Sequence, residues 1–317
     1  MGAVQSAKSP SLIRRLHVTV TTGVSFAVAF ALSYDSRFSE LIRRPFWKIV
    51  YNAVANDFLP AGVMKFVNLG YLGDASELDG ENSSDIANRV SERLYDRVVG
   101  DTDLAGRKVV EVGCGGGAGT AHVARAYHPA SVVGVDLNKD LIAWCRDQND
   151  ASNLTFLQGD AQDLPIESNS VDVVINIESS HCYPSRLSFF EEVARVLRPG
   201  GTFLFADIMH ANGRKEADIA DAQLGEVGLV IEDRVDITPN VLIARDVVSR
   251  STFSSEIRDA MSSLVVPLVE ESLCLAGTKN YKRLASGWVL YLHWIARKPT
   301  EDSIALSVPG AIGVTHS

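Results

Sequence analysis

The chain has 317 residues, 46% of them hydrophobic and 22% charged, the balance of a globular protein able to bury a sizeable core. A net charge of -9 with no dense Lys/Arg tract argues against a nucleic-acid substrate, for which a basic face is expected. Cys114, Cys145, Cys182 and Cys274 follow no metal-ligand spacing, so no metal site is expected and the thiols point to a reducing, cytosol-facing catalytic domain.

From the N-terminus, Leu16 to Ser33 carries no acidic, Lys or Arg residue; Arg14 and Arg15 precede it, and Arg37, Arg43, Arg44 and Lys48 follow. Its length is at the lower limit for a membrane span, and His17, Thr19, Thr21, Thr22 and Ser25 dilute it. Three readings stay open: a transmembrane or re-entrant anchor, an interfacial or core helix, or a targeting segment. Met1 to Ser6 also fits the N-myristoylation pattern. Phe46, Trp47, Tyr51 and Phe58 read as an amphipathic surface helix or as a cap over the active site, and the polar stretch from Asp79 to Asp85 as a mobile linker or lid. Asn82-Ser83-Ser84 and Asn153-Leu154-Thr155 match the glycosylation pattern, the second fortuitously, within a strand.

The run Val109-Val110-Glu111-Val112-Gly113-Cys114-Gly115-Gly116-Gly117 sets a glycine-dense turn directly behind a buried-strand pattern, with helical spacing from Ala118 to Tyr127. Gly113, Gly115 and Gly117 let the backbone bend sharply and approach a ligand without Cβ clashes. A dinucleotide fold seats a pyrophosphate on such a loop, but Glu111 ahead of the glycines would repel it and favours a cationic cofactor. A second strand, Ser131 to Val135, ends in Asp136, 21 residues after Gly115, where an acid that grips both ribose hydroxyls is expected. Leu154 to Leu157 reads as a third strand, closing in Gly159-Asp160-Ala161 with Asp160 facing an adenine. Val171 to Asn176 is a fourth, Phe189 to Leu197 a helix, Arg198 to Gly201 a turn, and Thr202 to Ala206 a fifth strand. Further on, Ala220 to Val227 predicts a helix, Gly228 to Thr238 a sixth strand with its following turn, and Val289 to Ala296 a seventh, antiparallel strand.

Glu111 to Gly117, Asp136, Gly159-Asp160-Ala161 and Leu197-Arg198-Pro199-Gly200-Gly201 together resemble the successive motifs of the class I S-adenosylmethionine-dependent methyltransferases. With Asn68-Leu69-Gly70-Tyr71, the segment Glu178-Ser179-Ser180-His181-Cys182-Tyr183-Pro184 resembles the small-molecule and lipid branch typified by the phthiotriol and phenolphthiotriol dimycocerosate methyltransferases. The resemblance covers about residues 60 to 298. It implies an α/β fold: a Rossmann-like seven-stranded sheet with helices on both faces and a helical cap, preceded here by an N-terminal hydrophobic helix. The implied organisation is an anchor or targeting segment over 1–50, a methyltransferase domain over 51–298 with its cofactor half at 100–210 and acceptor cap at 240–288, and a flexible tail over 299–317. S-adenosyl-L-methionine is the implied cofactor. Leu137, Ala161, Asn176 and Glu178 join Glu111, the three glycines, Asp136 and Asp160 on its side of the site. Glu111 either meets the methionine amino group or orients the loop through backbone amides.

Open α/β sheets bind ligands at the carboxyl ends of their strands, and His181 lies five residues past Asn176. An imidazole there can take a proton from a substrate hydroxyl as it attacks the methyl group, and Asp207 behind the fifth strand can orient it or bind the same hydroxyl. The pair resembles the His/Asp arrangement of sugar and polyketide O-methyltransferases. If the acceptor is a carboxylate, no proton need leave and His181 only places it. The helical insertion from Asn240 roofs the acceptor pocket in this fold, so Phe253, Met261, Leu264, Val265, Val266 and Leu268 either line a lipid-sized cavity or pack as an ordinary helical pair. The expected activity is methylation of a hydroxyl or carboxyl oxygen on a lipid, polyketide or terpenoid, near a membrane reached through the N-terminal segment. A C- or N-methyltransferase, a non-catalytic binding protein and a soluble cytoplasmic location are the alternatives.

Overall fold

A computed structural model describes residues 65–78, 85–210, 212–260 and 266–300. The hydrophobic segment at 16–33, the myristoylation pattern, the aromatic residues at 46–58, the linker at 79–84 and the tail from 301 lie outside these residues. No helix among the described residues is long and apolar enough to cross a membrane.

Helix α1 (Ile86–Val99) buries Val90, Leu94 and Val98 at four-residue spacing while its Arg and Asp residues face outward. Strand β1 (Lys108–Val112), α2 (Ala118–Ala126), β2 (Ser131–Asp136), α3 (Lys139–Gln148), β3 (Leu154–Gln158), β4 (Val171–Ile177), α4 (Arg186–Val196) and β5 (Leu197–Met209) then alternate. Caps fix the starts of two helices: Asn138 accepts from the amides of Asp140 and Leu141 below α3, and Ser185 from that of Ser188 below α4. The chain closes with α5 (Gly213–Glu226), β6 (Val230–Asp236), α6 (Thr238–Arg250), α7 (Phe253–Ala260), α8 (Val266–Ser272), α9 (Lys279–Ala285) and β7 (Leu290–Arg297).

The sheet runs β3-β2-β1-β4-β5-β7-β6, parallel from β3 to β5, with β7 antiparallel to both β5 and β6. All seven residues of β4 are buried, because a central parallel strand is covered on both faces. Alternate side chains serve opposite layers. Val109, Ile175 and Leu204 pack with α1, α2 and α6, whereas Val110, Phe203, Phe205 and Trp294 pack with α4 and α5. The strand order turns back on itself between β1 and β4, which opens a crevice at their carboxyl ends.

Two predicted boundaries shift. The Arg198 to Gly201 turn lies inside β5 as a bulge: pairing jumps from Val171–Leu197 to Val173–Thr202, and Gly200, at φ +79°, makes the bend. The helix predicted from Ala220 begins at Gly213. In the cap, Phe253 and Val266 are buried with Leu72, Val90 and Val248, so these two follow the packing reading rather than the cavity reading. Met261, Leu264, Val265 and the Leu268 side chain are outside the described residues.

Candidate active site

The glycine loop leaves β1 in left-handed backbone: φ is +76° at Gly113, +52° at Gly115 and +75° at Gly117. The Gly113 and Cys114 amides donate to the Val135 carbonyl, which ties the loop to β2. A side chain at Gly113 would overlap Ser179 and Tyr183, and one at Gly117 would lie 2.7 Å from the Cys145 sulfur. Gly115 has nothing within 4 Å of where its Cβ would be. The first and last glycines therefore let the loop sink onto its supports. The middle one keeps an open face. The loop walls a cleft of about 390 Å³, open mouth included, whose other walls are Lys65, Phe66, Val67, Tyr95, Ile177, Glu178 and Ser179.

Three acids stand around this loop. Glu111 on β1 is 2% exposed and accepts from the Tyr95 hydroxyl at 2.7 Å and the Thr120 hydroxyl at 2.5 Å. Its carboxylate thus holds α1 and α2 by side chains and takes no loop amide. Burial pushes its pKa up to about 7 against the pull of the two hydroxyls. Asp136 accepts from the Gly115 amide and the Asn138 amide, both at 2.9 Å, and burial pushes it up to about 6. Glu178, at φ +51° past β4, accepts from the Leu69 amide at 2.8 Å and the Tyr291 hydroxyl at 3.1 Å; burial pushes it up to about 7.

The other residues singled out on the cofactor side sit less centrally. Asn176 is fully buried and donates to the Val112 carbonyl, the Ser179 hydroxyl and the Tyr183 hydroxyl, so it meets the cleft through Ser179. Leu137, beside Asp136, is 47% exposed. Asp160 accepts from the Gln162 amide in a tight turn, with Ala161 buried next to it.

His181 occupies a short 3-10 turn (Ser180–Cys182) after β4, and the fully buried Asp207 lies on β5. The Asp207 carboxylate meets His181 Nδ1 at 2.6 Å and accepts from the His181 amide at 2.9 Å and the Ser180 hydroxyl at 2.5 Å. Burial alone would raise the Asp207 pKa; the imidazole and the Ser180 hydroxyl overcome it and hold it at about 2. Burial works against the charged His181 ring too, but Cys182 and Asp207 outweigh it and lift its pKa well above the ordinary value. The pair stands as imidazolium and carboxylate near neutral pH. Its ring is packed edge-on against His210, centroids 5.1 Å apart.

The structure brings Gly113, Gly115, Gly117 and Glu178 into one cleft and puts Asp136 directly behind Gly115. His181 and Asp207 form a second centre at the neighbouring strand ends. Sequence reasoning missed Tyr95, Thr120 and Tyr291, which hold the acids, and Gly119, where any side chain would overlap the Tyr95 ring. The signal for Gly119 was present: it extends the glycine run into the first turn of α2.

Comparison with known proteins agrees with this fold. Residues 110–205 match the family described as a methyltransferase domain. The chain is 38% identical over 209 residues to the phthiotriol/phenolphthiotriol dimycocerosates methyltransferase of Mycobacterium leprae, covering 64% of this chain and 77% of that protein. It is 44% identical over 160 residues to a fatty-acid O-methyltransferase of Mycolicibacterium smegmatis, covering 50% of this chain and 58% of that one. The geranyl diphosphate C-methyltransferase of Streptomyces coelicolor, solved with S-adenosyl-L-homocysteine, superimposes with a TM-score of 0.62 at 16% identity over 81% of this chain and 97% of its own, a likeness of fold. The chain is a class I S-adenosylmethionine-dependent methyltransferase and belongs to the family of the phthiotriol and phenolphthiotriol dimycocerosates methyltransferases.

Proposed function

We propose that this methyltransferase acts on an oxygen atom of a hydrophobic small molecule, with a lipid as the acceptor class and His181 and Asp207 handling the acceptor. The observation that carries the reading is the His181–Asp207 pair at the carboxyl ends of β4 and β5, beside the glycine cleft. The relatives named for phthiotriol dimycocerosates and fatty acids support the lipid class.

The residues present fit S-adenosylmethionine. Gly115 opens the loop, and Glu111, Asp136 and Glu178 are acids whose pKa values burial has pushed up, so a cation in the cleft would relieve each of them. In this reading the Gly113 to Gly117 backbone cradles the methionine part, with Glu178 and the Glu111–Tyr95 pair supplying negative potential. Asp136 takes the ribose hydroxyls, Leu137 covers the ring beside it, and Asp160 and Ala161 border the adenine. Asn176 holds the loop from below. The cofactor itself supplies an activated methyl group for in-line displacement, so positioning carries much of the rate.

For a hydroxyl acceptor the proton must leave, and His181 takes it through Nε2 while Asp207 fixes the ring through Nδ1. Because the His181 pKa is raised, its basic form grows as pH rises beyond the ordinary histidine range, and turnover should rise with it. For a carboxylate acceptor the same imidazolium pairs with the anion and no base is needed. The charged state of the resting pair and the fatty-acid O-methyltransferase likeness favour this second form.

Methyl-labelled S-adenosylmethionine incubated with a total lipid extract tests the reading, with Asp136→Ala as control and mass spectrometry of the products. A methyl ester or ether absent from the control supports it. Label on carbon or nitrogen, or an unchanged product yield in His181→Ala, would remove the oxygen assignment or the role of His181.

A further inference from the structure

The protein carries nine more acidic than basic residues overall, yet one surface departs from that balance. Helix α9 presents Lys279 and Lys282 one turn apart, and the first turn of α5 presents Arg214 and Lys215; all four are exposed. Between them stands Trp288, 54% exposed, while Trp294 in the sheet behind is fully buried. The elements are locked together: the Gly213 amide donates to the Trp288 carbonyl at 3.0 Å, and a side chain on Gly213 would overlap Leu290 at 2.6 Å.

Folding gains little from these side chains. Among the described residues none of the four cations is ion-paired, and positive charge at the start of α5 opposes its helix dipole. The acids nearby have other partners: Asp218, exposed one turn further along α5, pairs with Arg234 at 3.5 Å. Glu216 binds Arg186 at 2.7 Å, and Glu271 accepts the amides of Lys279 and Asn280. The surface is therefore an aromatic ring flanked by uncompensated cations, the composition that suits the headgroup layer of an anionic bilayer.

Its place in the fold ties it to the site. The Arg283 guanidinium donates to the His210 carbonyl at 3.0 Å, and the His210 ring packs on His181. β7 begins beside Trp288 and pairs Leu290 with Met209, at the carboxyl end of β5.

We infer that the face formed by Trp288, Lys279, Lys282, Arg214 and Lys215 docks on an anionic lipid surface, which brings a bilayer-resident acceptor to the His181 side of the cleft. The inference rests on the proposed lipid acceptor. Trp288 enters the interface between headgroups and acyl chains, while the four cations meet lipid phosphates and hold the strand ends toward the membrane. Attachment weakens as salt screens these charges.

Flotation of the full chain with vesicles of phosphatidylcholine alone, or mixed with phosphatidylglycerol, tests the docking. The wild type is expected to float with the mixed vesicles in low salt. The triple variant Arg214→Glu/Lys215→Glu/Lys282→Glu should lose about 10-fold or more of that affinity, and Trp288→Ala should lose several-fold, with no loss of thermal stability in either. KM for an acceptor presented in mixed vesicles should rise with kcat unchanged, while turnover of the same acceptor in neutral detergent stays at the wild-type level. A wild type that ignores phosphatidylglycerol, or variants that float as the wild type does, would overturn the inference. Binding to acidic protein in place of vesicles would overturn it as well. Failure of the oxygen-methylation reading shows separately, as wild-type protein that floats but modifies no lipid oxygen in detergent.

Discussion

Two groups of buried acids stand at the carboxyl ends of neighbouring strands, and their environments drive them in opposite directions. Around the glycine loop, Glu111, Asp136 and Glu178 accept hydrogen bonds from hydroxyls and backbone amides alone, and burial raises their pKa values to about 7, 6 and 7. At the end of β5, Asp207 is deeper than Asp136 or Glu178 but faces an imidazole, and it falls to about 2. Burial opposes the charge in both places. What differs is whether the protein itself supplies the opposite charge. Among the described residues no cation hydrogen-bonds to a loop acid, and only Glu178 feels His181 and Arg245 through space, so the loop region is complementary to a cation brought by a ligand. The His181–Asp207 region is already balanced and is suited to placing an acceptor.

Asp207→Asn should break this division most sharply. The amide keeps the shape but not the charge, so the His181 pKa falls and the ring loses its orienting partner. Single-turnover methyl transfer to a hydroxyl acceptor is expected to drop about 100- to 1000-fold, the range for a misplaced general base, and transfer to a carboxylate acceptor by less, with cofactor affinity unchanged by calorimetry. A matching loss of cofactor affinity would show that the two regions are not separable. Gly119→Ala is the converse test. The added methyl overlaps the Tyr95 ring, displaces its hydroxyl from Glu111, and should weaken S-adenosylmethionine binding about 30-fold while lowering stability by about 2 kcal/mol. The chemical step in cofactor-saturated enzyme should survive.

The pH dependence of cofactor binding sharpens the contrast with a smaller effect. A cation binds best when the loop acids are ionised, and binding in turn lowers their pKa values and releases protons. Affinity is therefore full at pH 8 and declines as pH falls through 7 and then 6, by about 10-fold at pH 5.5. S-adenosylhomocysteine, which lacks the sulfonium charge, should show a shallower decline in parallel titrations. Equal slopes for the two ligands would mean that the acids do not sense the sulfonium.

This difference in charge was only partly legible in the sequence. Strands β1, β2 and β4 are Val- and Ile-rich runs that are largely buried, and the glycines follow β1 where the backbone turns left-handed, so fold and loop follow from local pattern. His181 and Asp207 were legible as a pair because one follows β4 and the other stands near the carboxyl end of β5. The partners of the acids were not. Leu69 and Glu178 are 109 positions apart, Tyr291 and Glu178 are 113 apart, and no periodicity reports which hydroxyl reaches which carboxylate. Helix α1 escaped for a related reason. Its Arg- and Asp-rich outer face masks the buried stripe that carries Tyr95 to Glu111. Asn176 shows the same limit from the other side: its position near the carboxyl end of β4 pointed to the ligand, while its side-chain NH2 is spent on Val112, Ser179 and Tyr183.

The smallest expected effect lies at Leu137, an apolar side chain 47% exposed beside a carboxylate that burial has raised. If the loop region is built around a ligand, this exposure is relieved on binding, because the ribose held by Asp136 would lie against it. Leu137→Ala should then leave the thermal stability of the free protein within about 0.5 kcal/mol, as for a surface position away from the core. Cofactor affinity should fall about three- to fivefold, in line with loss of part of a buried leucine side chain. Leu137→Met, which keeps the apolar area, should restore it. An alanine variant that binds S-adenosylmethionine as tightly as the wild type would place the ligand away from Leu137 and limit the loop region's role to Asp136, Glu178 and the glycines.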